Sequence, residues 1–205
     1  MNTRLCLLPC LLAATLLAAC SPARTPRALG EFSAPVQTAL TSPVEPVMLE
    51  DGVWAVPRAR YEVEAYVLAT REYRRQSRAD IAPVDFALGW GVVVQPQNVH
   101  RVRVTQKNRE HHWEVSDATL LQQVGPRAFD LGIANTHMIP ANGQIQDLLL
   151  GTSPGDAVRA AGYLVDVRTR ESSDYRRTSI RRDDKGPRSG ELFYITSLEV
   201  LAPGY

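Results

Sequence analysis

The side chains able to do chemistry are few and scattered along the chain. The histidines are His100, His111, His112 and His137. His111 and His112 are neighbours in a run that alternates like a strand, so they face opposite sides and cannot share a metal without distortion. His137 stands in the polar stretch Asn135 to Asn142, which the sequence predicts to be a loop before a helix. A helix amino end favours an anion. With Asp85, Trp90, Asn135, Asn142 and the hydroxyl of Tyr163, His137 defines a candidate polar pocket. His137 and Asp85 would suit a histidine–carboxylate or metal-assisted hydrolytic site, because zinc accepts both donor types. The plainer reading is that Asn135 and Asn142 satisfy turns and caps while His137 makes a structural hydrogen bond. No phosphate-cradling glycine loop, Gly-x-Ser-x-Gly elbow, His-Glu-x-x-His pair or calcium loop is present in the sequence. No metal and no cofactor is expected.

The elements that must position these groups are read from periodicity and breakers. Tyr61, Val63, Ala65 and Val67 alternate with Glu62, Glu64 and Tyr66, the pattern of a half-buried strand. Pro83 at a first helical position and Gly89 at a stop predict a short helix between them, with Val84 and Leu88 packing on a sheet. Trp90 between two glycines is expected in the core, or else against a ligand. Val99–Val104 fits either period. Arg109–Val115 reads as a strand with His112 or Trp113 facing inward. Asp117 is expected to cap a helix through Val124, broken by Gly125-Pro126. Phe129–Ile133 reads as a short strand. Asn142 is expected to cap a helix with Ile145, Leu148 and Leu149 on one face.

The last third is the most patterned. Ala157–Val167 reads as one long strand, and Gly162 in its middle predicts a bulge or tight bend. Tyr175–Arg181 and Glu191–Leu201 read as two more strands around a hairpin-like connection. A glycine-bent strand followed by such a hairpin predicts a mainly β, α+β fold: a small curved sheet or OB-like barrel with two or three short helices. Arg71, Arg74, Arg75 and Arg78 form one basic run. Arg168, Arg170, Arg176, Arg177, Arg181 and Arg182 form a second, interspersed with acids. Both read first as solvated surface; arginines of the second run that shared one face would grip an anionic polymer or lipid head group.

The amino end carries a different signal. Arg4 precedes an apolar run, Leu5 to Ala19, which is shorter than the about 20 residues of a bilayer-spanning helix. Small residues then lead to a cysteine in Leu17-Ala18-Ala19-Cys20. This resembles a bacterial lipoprotein signal, which implies cleavage before Cys20 and lipidation of that residue. The alternative is a plain secretory leader with Cys20 incidental. Ser21, where an Asp would imply inner-membrane retention, points to the outer membrane. The three cysteines, Cys6, Cys10 and Cys20, all fall in or at the end of this leader, so the remaining chain has no thiol for a disulfide or zinc site.

The segments 82–91, 135–142, 162–165 and 178–186 resemble those of a group of uncharacterised proteobacterial envelope proteins. The resemblance runs from Tyr61 to Val200. Those relatives often carry a Cys-Glu pair where this chain has Gly190-Glu191, so any metal or redox role of that cysteine is missing here. The resemblance implies one shared domain and no activity.

The expected organisation is a signal peptide over 1–19, a proline-rich tether over 20–48 and one β-rich domain over 49–205. The chain has 23 Lys and Arg against 22 Asp and Glu. Arg4 lies in the leader, so the rest is balanced before histidine and shows no broad footprint for nucleic acid. The expected function is that of a lipid-anchored, periplasm-facing module of the outer membrane, non-catalytic, binding an envelope protein or cell-wall partner or supporting assembly. The alternative is a periplasmic hydrolase built on His137 and Asp85. A small-ligand sensor is a third reading.

Overall fold

The computed structural model describes residues 26–27, 32–50, 52–73, 81–169, 176–181 and 190–203. Cys20 and its leader, Arg74, Arg75, Arg78, Arg170, Arg182 and the expected hairpin connection lie outside the described residues.

In chain order the strands are β1 (Pro26–Arg27), β2 (Val36–Ala39), β3 (Val47–Glu50), β4 (Val53–Glu72), β5 (Val84–Gly89), β6 (Val102–Lys107), β7 (Glu110–Val115), β8 (Ile133–Pro140), β9 (Ala157–Thr169) and β10 (Glu191–Pro203). The helices are α1 (Ala118–Val124), α2 (Pro126–Gly132) and α3 (Gly143–Gly151), with two short 3-10 turns after β5. β4 pairs with β5, β5 with β8, β8 with β10, β10 with β9, and β9 returns to β4. The ring is thereby closed. The β8–β10 pair is parallel and the other pairs of the ring are antiparallel. This is the mainly β, OB-like barrel that the sequence predicts.

Alternation builds the interior. Tyr61, Val63, Ala65 and Val67 of β4 join Val84, Phe86 and Leu88 of β5, and Phe193 and Ile195 of β10, in one buried cluster. Tyr61 meets Phe193 edge-to-face at 5.0 Å between ring centroids. A bulge lets the wall curl. Ile195 pairs with Gly162 and Ser197 with Ala161, which leaves Thr196 extra on β10. Gly162 is required there, because a Cβ would lie 2.0 Å from the Tyr194 carbonyl oxygen.

The structure corrects several expectations. The segment 84–89 is a strand, not a helix: Val84, Phe86 and Leu88 alternate with Asp85, Ala87 and Gly89 and fill the main core, and that two-residue period outweighs the proline and glycine signals. Residues 126–132 form a helix with Pro126 at its first turn, so the expected strand Phe129–Ile133 is helical as far as Gly132 and Ile133 opens β8. Asn135–Pro140 belongs to β8 and is not a loop. Among the described residues of the expected 175–181 strand, the pairing is one bridge, Arg176 to Val167. Part of the expected tether lies on the barrel: β2 and β3 pair with β4, and Phe32 is 2% exposed within the main core. Val36–Ala39 is an edge strand, which the neighbouring Pro35 and Pro43 permit because neither lies within it. Asp117 and Asn142 do cap α1 and α3, accepting from backbone amides at 2.9 and 3.0 Å. Leu148 of α3, expected on the buried face, is exposed. Among the described residues no helix is long and apolar enough to cross a membrane.

Candidate functional site

β5 and β8 run antiparallel with Asp85 opposite His137 and Ala87 opposite Asn135. Val84, Phe86 and Leu88 enter the main core, so Asp85 projects from the other face of its strand. A second layer covers that face. β6 and β7 form a separate two-stranded sheet whose tip reaches Asp85 and Asn135. The tip is a two-residue turn, Asn108-Arg109, closed by the Lys107–Glu110 pair. Both turn residues have positive φ, 55° and 67°. Such a turn matches strand twist, but a bulky side chain at this backbone conformation is strained.

The strain places Arg109 over the site. Its Nη1 donates to Asp85 Oδ1 at 2.7 Å and to the Ala82 carbonyl at 3.2 Å. Its guanidinium carbon lies 3.6 Å from the Tyr73 ring centroid, a close cation–π stack. The Tyr73 hydroxyl donates to Asp85 Oδ2 at 3.0 Å. His137 Nδ1 stands 2.8 Å from Asp85 Oδ1, yet its ring geometry makes no aligned hydrogen bond, so this is a close polar contact of bent geometry. Asn135 Nδ2 donates to the Arg109 carbonyl at 3.0 Å and reaches Asp85 Oδ2 at 3.5 Å. Gln106 Nε2 donates to Asn135 Oδ1 at 2.7 Å.

Asp85 is fully buried. A buried carboxylate needs both compensating charge and hydrogen bonds, and here each oxygen has close partners from β8 or from the segments packed over it. His137 is walled in on its far side. A Cβ added at Gly190 would come within 2.6 Å of Nε2.

Of the expected pocket residues, the structure brings Asp85, Asn135 and His137 together. Trp90 lies in the main core, with its indole N–H donating to the Leu131 carbonyl at 3.0 Å. Asn142 caps α3. Tyr163 sits on β9 under Arg60, 5.5 Å from its ring centroid. Three residues of the cluster escaped the sequence reading: Tyr73, Gln106 and Arg109. The available signal was the turn pair Asn108-Arg109 between two alternating runs, which marks a hairpin and hence a shared tip. His111 and His112 lie on opposite faces of β7, and burial pushes the His111 imidazole down, aided by His112 and opposed by Asp130. Among the described residues, no three His, Cys, Asp or Glu side chains are grouped so as to hold a metal ion.

Burial, and then the Asp85 charge and its hydrogen bond, push the Tyr73 hydroxyl up to about 12. A tyrosine in the unfolded chain ionises near its ordinary value of 10.0. Between those two values the unfolded state has released a proton that the native state keeps. Stability is therefore expected to be intact below pH 10 and to fall as pH rises towards 12. Urea midpoints of the wild type and Tyr73→Phe across this range check it. The wild type should lose more stability than the variant, and equal losses would remove Tyr73 as the cause.

Searches against protein-family models, curated proteins and solved structures find no match to this chain.

Proposed function

We propose that the protein is a lipid-anchored module of the cell envelope, of the proteobacterial type its sequence resembles, that binds or helps assemble a partner and does no catalysis of its own. One observation supports the non-catalytic part. The most chemically suggestive group in the fold, Asp85, is spent on Tyr73, Arg109, Asn135 and His137. A general base must reach a substrate proton within hydrogen-bond distance or through one water. Asp85 is fully buried, and the His137 side chain is 9% exposed. The cluster thus works as a brace that locks the β6–β7 layer onto the barrel. The hydrolytic alternative draws on the Asp85–His137 contact, but Asp85 is fully buried and the His137 side chain nearly so, which leaves neither group open to a substrate.

The placement rests on Cys20. One acyl chain holds a protein weakly, whereas two or more hold it stably. Replacing Cys20 with serine is expected to abolish palmitate incorporation and release the protein from the membrane fraction. Unchanged membrane association in Cys20→Ser would defeat the anchor. The binding role is tested by in-cell crosslinking of the tagged chain: one reproducible envelope partner supports it, and a catch of abundant bystanders counts against it.

A further inference from the structure

The first half of β4 is flanked unequally. On one side it pairs with β9 from Val53 to Tyr66. On the other side lie β3, opposite Val53–Ala55, and β2, opposite Ala59–Glu62. Among the described residues β2 pairs with β4 alone and ends the sheet. All four of its residues are exposed. The backbone groups along its outer side form a template for one more strand.

The surroundings of this edge are apolar. The three most exposed large apolar side chains among the described residues are Met48 at 64%, Val36 at 61% and Ile180 at 52%. Val36 is in β2 and Met48 in β3, both on the side of β4 away from β9. Ile180 is beside β2, because its carbonyl accepts from Gln37 Nε2 at 3.1 Å. Leu148 and Leu150 belong to α3 and are less exposed.

Edge strands are commonly guarded by charge. Here residues 32–44 include no Asp, Glu, Lys or Arg. A charged peptide gains nothing from such an edge, whereas a second copy of it brings no like charge. A two-fold axis perpendicular to a strand sets it antiparallel to its own copy, so donors face acceptors by symmetry. Centred on Thr38, the pairing puts Thr38 opposite its own copy, Gln37 opposite Ala39, and Val36 opposite Leu40, the residue after the strand. Threonine pairs and apolar pairs are favourable across strands.

We infer that β2 pairs with the β2 of a second copy, antiparallel and centred on Thr38, so that one barrel's sheet runs into the other's. Two four-residue strands cover less than the about 1,200 Å² of a stable interface, so the dimer is expected to be weak and reversible. The inference depends neither on the lipid anchor nor on the proposed partner.

Sedimentation velocity of the full chain in excess detergent micelles tests it, since the micelles keep acyl chains or an apolar leader from gathering molecules. A concentration-dependent shift from monomer to dimer is expected between about 1 and 200 µM. Thr38→Lys and Thr38→Glu each set like charges face to face and should weaken the dimer at least ten-fold. An equimolar mixture of the two sets opposite charges face to face and should restore it. Misfolded variants would not be rescued by mixing, so restoration also shows that β2 stays on β4, where Arg60 lies opposite Thr38. Leu150→Lys, on α3, should leave the association unchanged. A monomer at every concentration overturns the inference and leaves the edge to a strand from another protein. A dimer that persists in both charged variants overturns it too, as does one that mixing fails to restore.

Discussion

Asp85→Ala is expected to destabilise the fold by about 3–5 kcal/mol, because it strips the partner from a buried guanidinium. The Arg109 side chain is 11% exposed, stacked on Tyr73 and held by a strained turn, so it cannot simply swing into water. The Tyr73 hydroxyl loses its acceptor as well. For a chain of this size the loss corresponds to a drop in Tm of roughly 10 °C. Urea unfolding of Asp85→Ala, Arg109→Ala and the double variant closes the cycle. A coupling of at least about 1 kcal/mol between the two sites is expected, as for residues sharing one network. If both single variants lose less than about 1 kcal/mol, the cluster is not a brace. That result would return Asp85 and His137 to the list of groups held ready for chemistry.

The second large effect belongs to the barrel wall. Gly162→Ala would put a Cβ 2.0 Å from the Tyr194 carbonyl oxygen and 3.1 Å from the Thr196 amide nitrogen. Both obstacles are backbone, at the point where β9 and β10 shift register. Neither can rotate aside, so the strands must separate. Overpacking a core typically costs about 1–3 kcal/mol, and a clash with main chain lies at or beyond the top of that range. The expected result is a loss of about 3 kcal/mol or more, or failure to accumulate folded protein. Gly143→Ala is the matched control. It lies at the start of α3 with open space around its Cβ position, so it should be neutral or slightly stabilising. Equal behaviour of the two variants would mean that the bend tolerates a side chain.

The parts of the fold legible in the sequence are those where one local signal had no rival. Asp117 and Asn142 sit before apolar stripes and cap the helices expected of them. Gly162, alone in a long apolar run, marks the bulge. The failures at β5 and β8 have a shared cause. β5 is buried on both faces, one face lining the core and the other lying under the β6–β7 layer. A covered outer face permits Asp85, and it likewise permits Asn135 and His137 on β8. Those polar residues made β8 look like a loop. The cover itself was only faintly marked, because the turn between its two alternating runs has Arg109 as second residue where glycine is usual. Phe32 failed for another reason. It is a lone aromatic in a proline-rich stretch, and no period marks a single residue that reaches the core.

The order of strands around the barrel has a consequence for how the chain matures. β4 can be joined to β5, and β5 to β8, by the first 140 residues alone. The strand that completes the circle against β8 and β9 is the last one, β10. Until it arrives, β8 has no partner on one side and β9 lacks one of its two neighbours. Bare strand margins of that kind recruit other chains. A product ending before Glu191 would keep a permanently open seam and should clump, whereas an equal deletion from the other end would leave the circle whole.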